Sequence, residues 1–398
     1  MQLHKGDLYW DETKKDTTYL TLEKDVCTDT LIIGGGMTGA ILSHVLGKSG
    51  REVMVVDKAI PGYGSSWGNT GMIQYNSDML LHDMAKKHGK KKAVDFYQLS
   101  IDAMNQLDSI VAELPDDVGY SRTHSLYLAK EKDDLASMKD NYAMLTNHSF
   151  PCEWLTEEKL KNDYNIHAYG AIRTGNDAGL NPFKMVQAIH KSNLNKGIPI
   201  YHECTVEKIV EGDQFCVYTA NGHKITCENL IIATGYAKDM YKPIEEMAKR
   251  NTTYSFVTKP LQVPLWGNKE MIWDSATDYL YFRVNEENRL IAGGMDESGA
   301  DLSTHQEIKE TCEKLLQSAK NYYPDLKAEI DHTWQSVFGV SKDGLPFIGQ
   351  DPVNPNKYFA LGFGGNGTCY SVAAAMIIND FLHNRTHPYA YTTAFPRS

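Results

Sequence analysis

Thr30-Leu31-Ile32-Ile33-Gly34-Gly35-Gly36-Met37-Thr38-Gly39 is the stretch that decides the fold. Thr30 to Ile33 reads as a short strand of the kind buried on both faces of a parallel sheet. The glycines that follow are spaced Gly34-x-Gly36-x-x-Gly39. The first permits a tight turn, the second lets a pyrophosphate approach the backbone, and the third lets a helix pack close to the strand. Ala40 to Lys48 carries apolar residues at 41, 42, 45 and 46, a helical spacing, and Glu52 to Val56 is a second strand ending at Asp57. A β-α-β unit of this kind sets phosphates at a helix N-terminus, where free N–H groups and the dipole favour negative charge. Asp57 lies 18 residues beyond Gly39, where an acceptor for ribose hydroxyls is expected. An acid there disfavours a 2′-phosphate, so FAD or NAD is expected rather than NADP.

A second glycine cluster lies near the other end of the chain. Asp343-Gly344-Leu345-Pro346-Phe347-Ile348-Gly349 precedes an apolar strand at 358–362. Gly362-Phe363-Gly364-Gly365-Asn366-Gly367 then opens a helix from about Thr368 to Leu382. A helix N-terminus there suits the negative charge a flavin gains near N1 and the C2 carbonyl on reduction, which favours FAD over NAD. An ordinary C-terminal glycine turn is the plainer reading of the same residues.

Between these ends, 61–74 is a Gly/Ser-rich loop and 78–112 is helical and charged. Residues 125–129 read as a strand. Val206 to Val210 and Phe215 to Thr219 read as paired strands, with Asn221-Gly222 as turn chemistry. Leu230 to Ala233 is a buried strand running into Thr234 and Gly235. Residues 252–295, rich in β-branched and aromatic side chains, suggest an antiparallel sheet, and 307–323 is helical. Residues 1–28 are polar and irregular, a surface arm.

Composition excludes several classes. At 398 residues, 42% hydrophobic and 23% charged, the chain is neither disordered nor fibrous and is long enough for two domains. A net charge of −11 argues against nucleic acid or an anionic membrane as partner. The most apolar stretch, 31–47, falls short of the roughly 20 apolar residues a membrane span needs. The first 16 residues lack an apolar signal core, so a cytoplasmic protein is expected. Seven cysteines, with no Cys-x-x-Cys, read as reduced thiols, and no metal-binding pattern is present.

The order of these pieces resembles the FAD-dependent D-amino-acid-oxidase/glycine-oxidase superfamily, and more closely its γ-glutamylputrescine-oxidase-like branch. The matching pieces are Leu8-Tyr9-Trp10, the glycine fingerprint, Gly64-Ser65-Ser66-Trp67-Gly68-Asn69-Thr70-Gly71, Leu180-Asn181-Pro182 and Ile232-Ala233-Thr234-Gly235. Tyr281-Phe282-Arg283, Arg289 to Gly294 and the two C-terminal glycine segments complete them. The resemblance implies an α/β fold in which a Rossmann-type FAD-binding domain is interleaved with an α+β substrate domain on a mixed or antiparallel sheet. The FAD-binding domain would gather residues 1–85, 150–250 and 332–398, and the substrate domain 86–149 and 251–331.

The resemblance also implies flavin contacts. Met37 and Thr38 would meet the pyrophosphate, within the cofactor-binding turn of Gly34, Gly36 and Gly39, and Asp57 and Lys58 the adenosine ribose region. Ser65, Ser66, Thr70, Gly71 and Met72 would line the pyrophosphate and flavin. Val206 would meet adenine through its backbone, with Ala233, Thr234 and Gly235 near by. Gly364, Gly365, Asn366, Gly367 and Thr368 would border the isoalloxazine, and Gly344 is a further cofactor-binding candidate. Sarcosine-oxidase relatives attach flavin through a cysteine whose match here is Ser336, and the histidine that other relatives use in the 65–71 loop is missing, so non-covalent FAD is expected. The arginines with which glycine-oxidase relatives hold the substrate carboxylate match Phe338 and Gly365. The oxidase lysine has no match in 289–295, which leaves the electron acceptor open between dioxygen and another carrier.

The implied reaction is oxidation of the C–H beside the nitrogen of a small amine or amino-acid derivative to an imine, which water hydrolyses. A flavin-dependent hydroxy-acid dehydrogenase, or a flavin subunit active only in a larger complex, are the alternatives. Arg283 is the candidate substrate-facing charge, able to hold a carboxylate bidentately. Tyr281 alternates onto the same face of the strand as Tyr279 and Arg283. Trp67, His332, Trp334 and Cys369 are weaker candidates.

Overall fold

The computed structural model describes residues 2–13, 17–236, 242–262 and 269–396. Two sheets organise them. In the smaller, Val26–Ile33 lies between Val53–Val56 and Lys224–Ile232, parallel to both. Its apolar end, Leu31 to Ile33, is buried, as a strand covered on both faces must be. Ile200–Tyr201 extends one side of this sheet. Lys357–Leu361 and then Phe347–Gln350 extend the other. Phe215–Thr219 pairs antiparallel with both Val206–Val210 and Lys224–Ile232. Gly222, at φ +84°, takes the left-handed turn conformation that glycine adopts without a Cβ penalty.

The larger sheet runs in the order His4–Gly6, Ile330–Ser341, Ala248–Thr258, Leu290–Ser298, Leu280–Val284, Met271–Asp274, Ser121–Leu128, Gly170–Gly179 and Met72–Ile73, with Cys152–Thr156 also paired to Gly170–Gly179. It is antiparallel except where Met271–Asp274 pairs parallel with Ser121–Leu128. The 252–295 reading is therefore met. We keep the interleaved two-domain division as a proposal. The strands at His4–Gly6, Met72–Ile73, Cys152–Thr156 and Gly170–Gly179 hydrogen-bond across it into the larger sheet.

Helices Met37–Lys48 and Gly367–Leu382 pack against each other and the smaller sheet. The 78–112 segment is two helices, Leu81–His88 and Lys90–Ala112, broken at Gly89 with φ +85°. His305–Tyr322 begins at a full capping box, Thr304 with Glu307, and lays its apolar face on the larger sheet. The N-terminal segment differs from its sequence reading. His4–Gly6 is a strand paired with Trp334–Ser336, and Tyr9 and Trp10 are 1% and 2% exposed. Apolar burial of Leu8, Tyr9 and Trp10 against Phe183, Val257 and Trp334 outweighs the polar character of their neighbours.

Candidate active site

The two glycine clusters meet. Residues of both line one cavity of about 820 Å³ between the C-terminal ends of the parallel strands and the face of the larger sheet. The first cluster shows three distinct roles. Gly34 has φ +110°, and a Cβ there would stand 2.3 Å from Ala233 O. A Cβ on Gly39 would stand 1.8 Å from Gly34 O, so the helix is locked against the turn by the missing side chain. A Cβ on Gly36 would meet only Ser66 Oγ, at 3.3 Å, and otherwise occupy the cavity. Open space of this kind also lies beside Gly235 and Gly367, both on the cavity wall.

Side chains hold this turn from three directions. Asp57 accepts from Gly35 N at 2.7 Å and Ala59 N at 2.9 Å. Burial pushes its carboxyl up, while those two amides and Lys58 pull it back down. Ser66, on the one-turn helix Ser65–Gly68, accepts from Met37 N at 2.9 Å. His190 lies beneath, its Nε2 2.8 Å from Gly35 O. A carbonyl only accepts, so His190 donates through Nε2. Burial pushes it down to about 4, against the opposing pull of the Gly35 bond.

The last of these carries a pH prediction. The ordinary histidine value is 6.5, so between pH 6.5 and 4 the unfolded chain binds the proton and the folded one does not. Stability is lost as pH falls through that window. The stability advantage of the wild type over His190→Gln is therefore expected to shrink by about 3 kcal/mol from pH 7 to 4. Urea unfolding of both at several pH values measures it, and parallel pH curves would show that His190 is not the acid-labile group.

At the other end, Thr38 Oγ1 on Met37–Lys48 and Ser371 Oγ on Gly367–Leu382 are 2.9 Å apart, joining the two helices at the cavity wall. Asn366, at the start of Gly367–Leu382, donates from Nδ2 to Asn76 O. Gly365 N donates to Asp78 Oδ2 at 3.0 Å. The larger sheet contributes Thr253, Trp273, Tyr279 and Tyr281. The rings of Tyr279 and Tyr281 stack at 5.8 Å, and Tyr279 donates to Asp296 at 3.0 Å. Tyr281 faces Gly293 across the strand pair, and a Cβ there would stand 2.3 Å from its hydroxyl.

Of the residues singled out in the sequence, Gly34, Gly36, Met37, Thr38, Asp57, Lys58, Ser65, Ser66, Thr70 and Met72 line the cavity. So do Val206, Ala233, Thr234, Gly235, Tyr281, Gly364, Gly365, Asn366, Gly367 and Thr368. Four stand behind the wall. Gly39 packs as described. Gly71, at φ +76°, lies against Leu180 O and Arg283, and Gly344, at φ +82°, turns against Met79. Arg283 is 4% exposed and points away from the cavity. Its Nε donates to Thr70 O at 2.9 Å and its Nη2 to Leu180 O at 2.6 Å. Burial lowers it to about 10. Its geometry is that of a clamp on the 68–73 loop.

Trp67 packs among Tyr63, Phe183 and His4, and His332 sits beside Asp7 and Glu12. Trp334 donates to Gly68 O at 2.9 Å. Cys369 is fully buried and pushed up to about 12, too high for a thiolate at neutral pH. Asn76, Ser77, Asp78, Trp273 and Tyr236 line the cavity unforeseen. Asp78 opens what reads as a solvated, charged helix, and no local pattern separates it from its neighbours.

Among the described residues no group of three His, Cys, Asp or Glu side chains is placed for a metal, and no helix is long and apolar enough to cross a membrane. The fold and cavity are those of a dinucleotide-binding flavoprotein. The DAO family model, described as FAD dependent oxidoreductase, matches residues 29–381, and the chain belongs to that family. It is 22% identical to a probable oxidoreductase, OrdL, of Haemophilus influenzae, with 96% of this chain and 89% of that one aligned. It is 24% identical to γ-glutamylputrescine oxidoreductase of Escherichia coli, over 95% and 89%. Among solved structures, glycine oxidase from Geobacillus kaustophilus superposes with a TM-score of 0.81 at 20% identity, over 94% and 99%.

Proposed function

We propose that this FAD-dependent oxidoreductase oxidises the C–H beside the nitrogen of a small amine or amino-acid derivative. The observation that carries the reading is the single cavity in which a phosphate-binding turn at one end adjoins a wall of Trp273, Tyr279 and Tyr281 at the other. The names of the relatives, an oxidoreductase of γ-glutamylputrescine and a glycine oxidase, support amine chemistry. FAD supplies, when bound, an acceptor for a hydride equivalent.

The chain's own residues do the rest. Gly34, Gly36, Met37 and Thr38 receive the pyrophosphate with Ser65 and Ser66. Asp57, Lys58 and Val206 take the adenosine end beside Ala233 to Gly235. Thr70, Met72 and Gly364 to Thr368 border the ring system. Ser336, which lines the cavity, offers a hydroxyl and not a thiol, which supports non-covalent FAD. The aromatic wall strips water from the substrate, and desolvation lowers an ammonium pKa, which releases the neutral amine that reacts. Tyr281 orients that amine. The substrate leaves as an imine, which water hydrolyses. Seven unpaired thiols support a cytoplasmic setting.

The test is an anaerobic panel of amines, amino acids and hydroxy acids added to the purified yellow protein, with flavin absorbance as readout. Bleaching by amines is expected. Bleaching by hydroxy acids alone would replace this reading with the hydroxy-acid dehydrogenase.

A further inference from the structure

The charges of the cavity are segregated. Asp57 and Lys58 adjoin each other in the chain at the adenosine end, and His4 is tied to Tyr63 O at 3.0 Å. At the end walled by the larger sheet, Asp78 is the one charged side chain among the described lining residues, and none of the described lining residues is an arginine. Asp78 is open to the cavity although protein surrounds it; that surrounding protein pushes its carboxyl up, the Gly365 amide pulls it back down, and a bound cation would favour its charged form. It receives one hydrogen bond, from Gly365 N, and among the described residues no cation pairs with it. The absence of side chains at 364 and 365 makes room for it. A Cβ at either would stand 3.0 or 2.9 Å from its carboxylate oxygens.

The surroundings add to the negative field. Asp78 acts electrostatically on Tyr236, Tyr279 and Tyr370, and it raises the carboxyl of Asp296. Asp296 holds the Tyr279 hydroxyl on one oxygen, and its buried Oδ1 has no hydrogen-bond partner. A carboxylate brought to this end meets like charge, with no cation among the described lining residues there to neutralise it.

We propose that Asp78 is the specificity-determining anchor for a protonated nitrogen of the substrate, and that the preferred substrates are amines carrying a second cationic nitrogen, such as aliphatic diamines. This rests on the amine reading above and narrows it. The anchored nitrogen is not the reacting one. A carboxylate stabilises the charged form of its partner, whereas the nitrogen beside the oxidised carbon must shed its proton. Asp78 thus holds one end of the substrate as an ammonium while the other end, against the apolar wall, is desolvated and neutral.

The test compares three ligands of one length on the holoenzyme: 1,4-diaminobutane, butylamine and 4-aminobutanoate. Two readouts are used, anaerobic flavin bleaching and the ligand-induced rise in Tm of the holoenzyme, the second of which needs no turnover. The diamine is expected to act at the lowest concentration and the carboxylate-bearing amine at the highest. Asp78→Asn still accepts from Gly365 N, and it is expected to cut the diamine-over-butylamine preference about tenfold or more, as loss of a charge-assisted contact does. Asp78→Glu is expected to restore part of that preference, which a purely structural role would not. A wild type that favours 4-aminobutanoate, or an unchanged diamine preference in Asp78→Asn, overturns the proposal while leaving amine oxidation intact. Bleaching by hydroxy acids alone sinks the parent reading instead.

Discussion

Gly36→Val is expected to fold, purify in good yield and be colourless. The three glycines of the fingerprint look alike in sequence, but their surroundings set different outcomes. A side chain at 36 meets only the Ser66 hydroxyl at 3.3 Å and projects into the cavity, so the protein without cofactor tolerates it while the phosphates lose their space. A Cβ at 39 would stand 1.8 Å from the backbone oxygen of Gly34. Gly39→Ala must push the helix Met37–Lys48 off its strand, and a loss of about 3 kcal/mol or more is expected, the range for overpacking against rigid backbone. Flavin content and urea unfolding of the two variants, each against wild-type apoprotein, separate the effects. A yellow Gly36→Val would place the phosphates elsewhere.

Arg283→Ala is expected to lower stability by about 3 kcal/mol and to release the flavin as a consequence. The guanidinium is buried, with Thr70 O and Leu180 O on its Nε and Nη2. Its removal leaves two buried carbonyls unsatisfied and a void beneath the 68–73 loop. Arg283→Lys is expected to rescue little, because one ammonium does not reproduce the planar fork that reaches two carbonyls at once. Denaturation curves with and without excess FAD measure this. Unchanged stability together with slow substrate reduction would return Arg283 to the substrate side.

Arg283 also shows where sequence reading reaches its limit. Alternation along Leu280–Val284 correctly puts residues 279, 281 and 283 on one side of the strand. It carries no information on how far along that strand the cavity extends. Tyr279 and Tyr281 lie under the cavity, and Arg283 lies one step further, under Gly71 and Gly179. The glycine turns were legible because positive φ and close backbone approach exclude other residues, so chemistry and spacing coincide there. The parallel strands were legible from their unbroken apolar runs. Asp78 was not, since its position depends on Gly365, 287 residues away. The N-terminal strand was hidden for the same reason, its partners being Trp334 to Ser336.

The bond between Thr38 and Ser371 has a bearing on how this molecule is made. The hydroxyl near the start of the chain finds its partner 333 residues later, and the final glycine turn and helix supply part of the cavity wall. A ribosome that has translated only the β-α-β unit has made one side of this cavity and not the other. The wall of the cavity is therefore completed only when translation has passed residue 371 and the last helix has emerged.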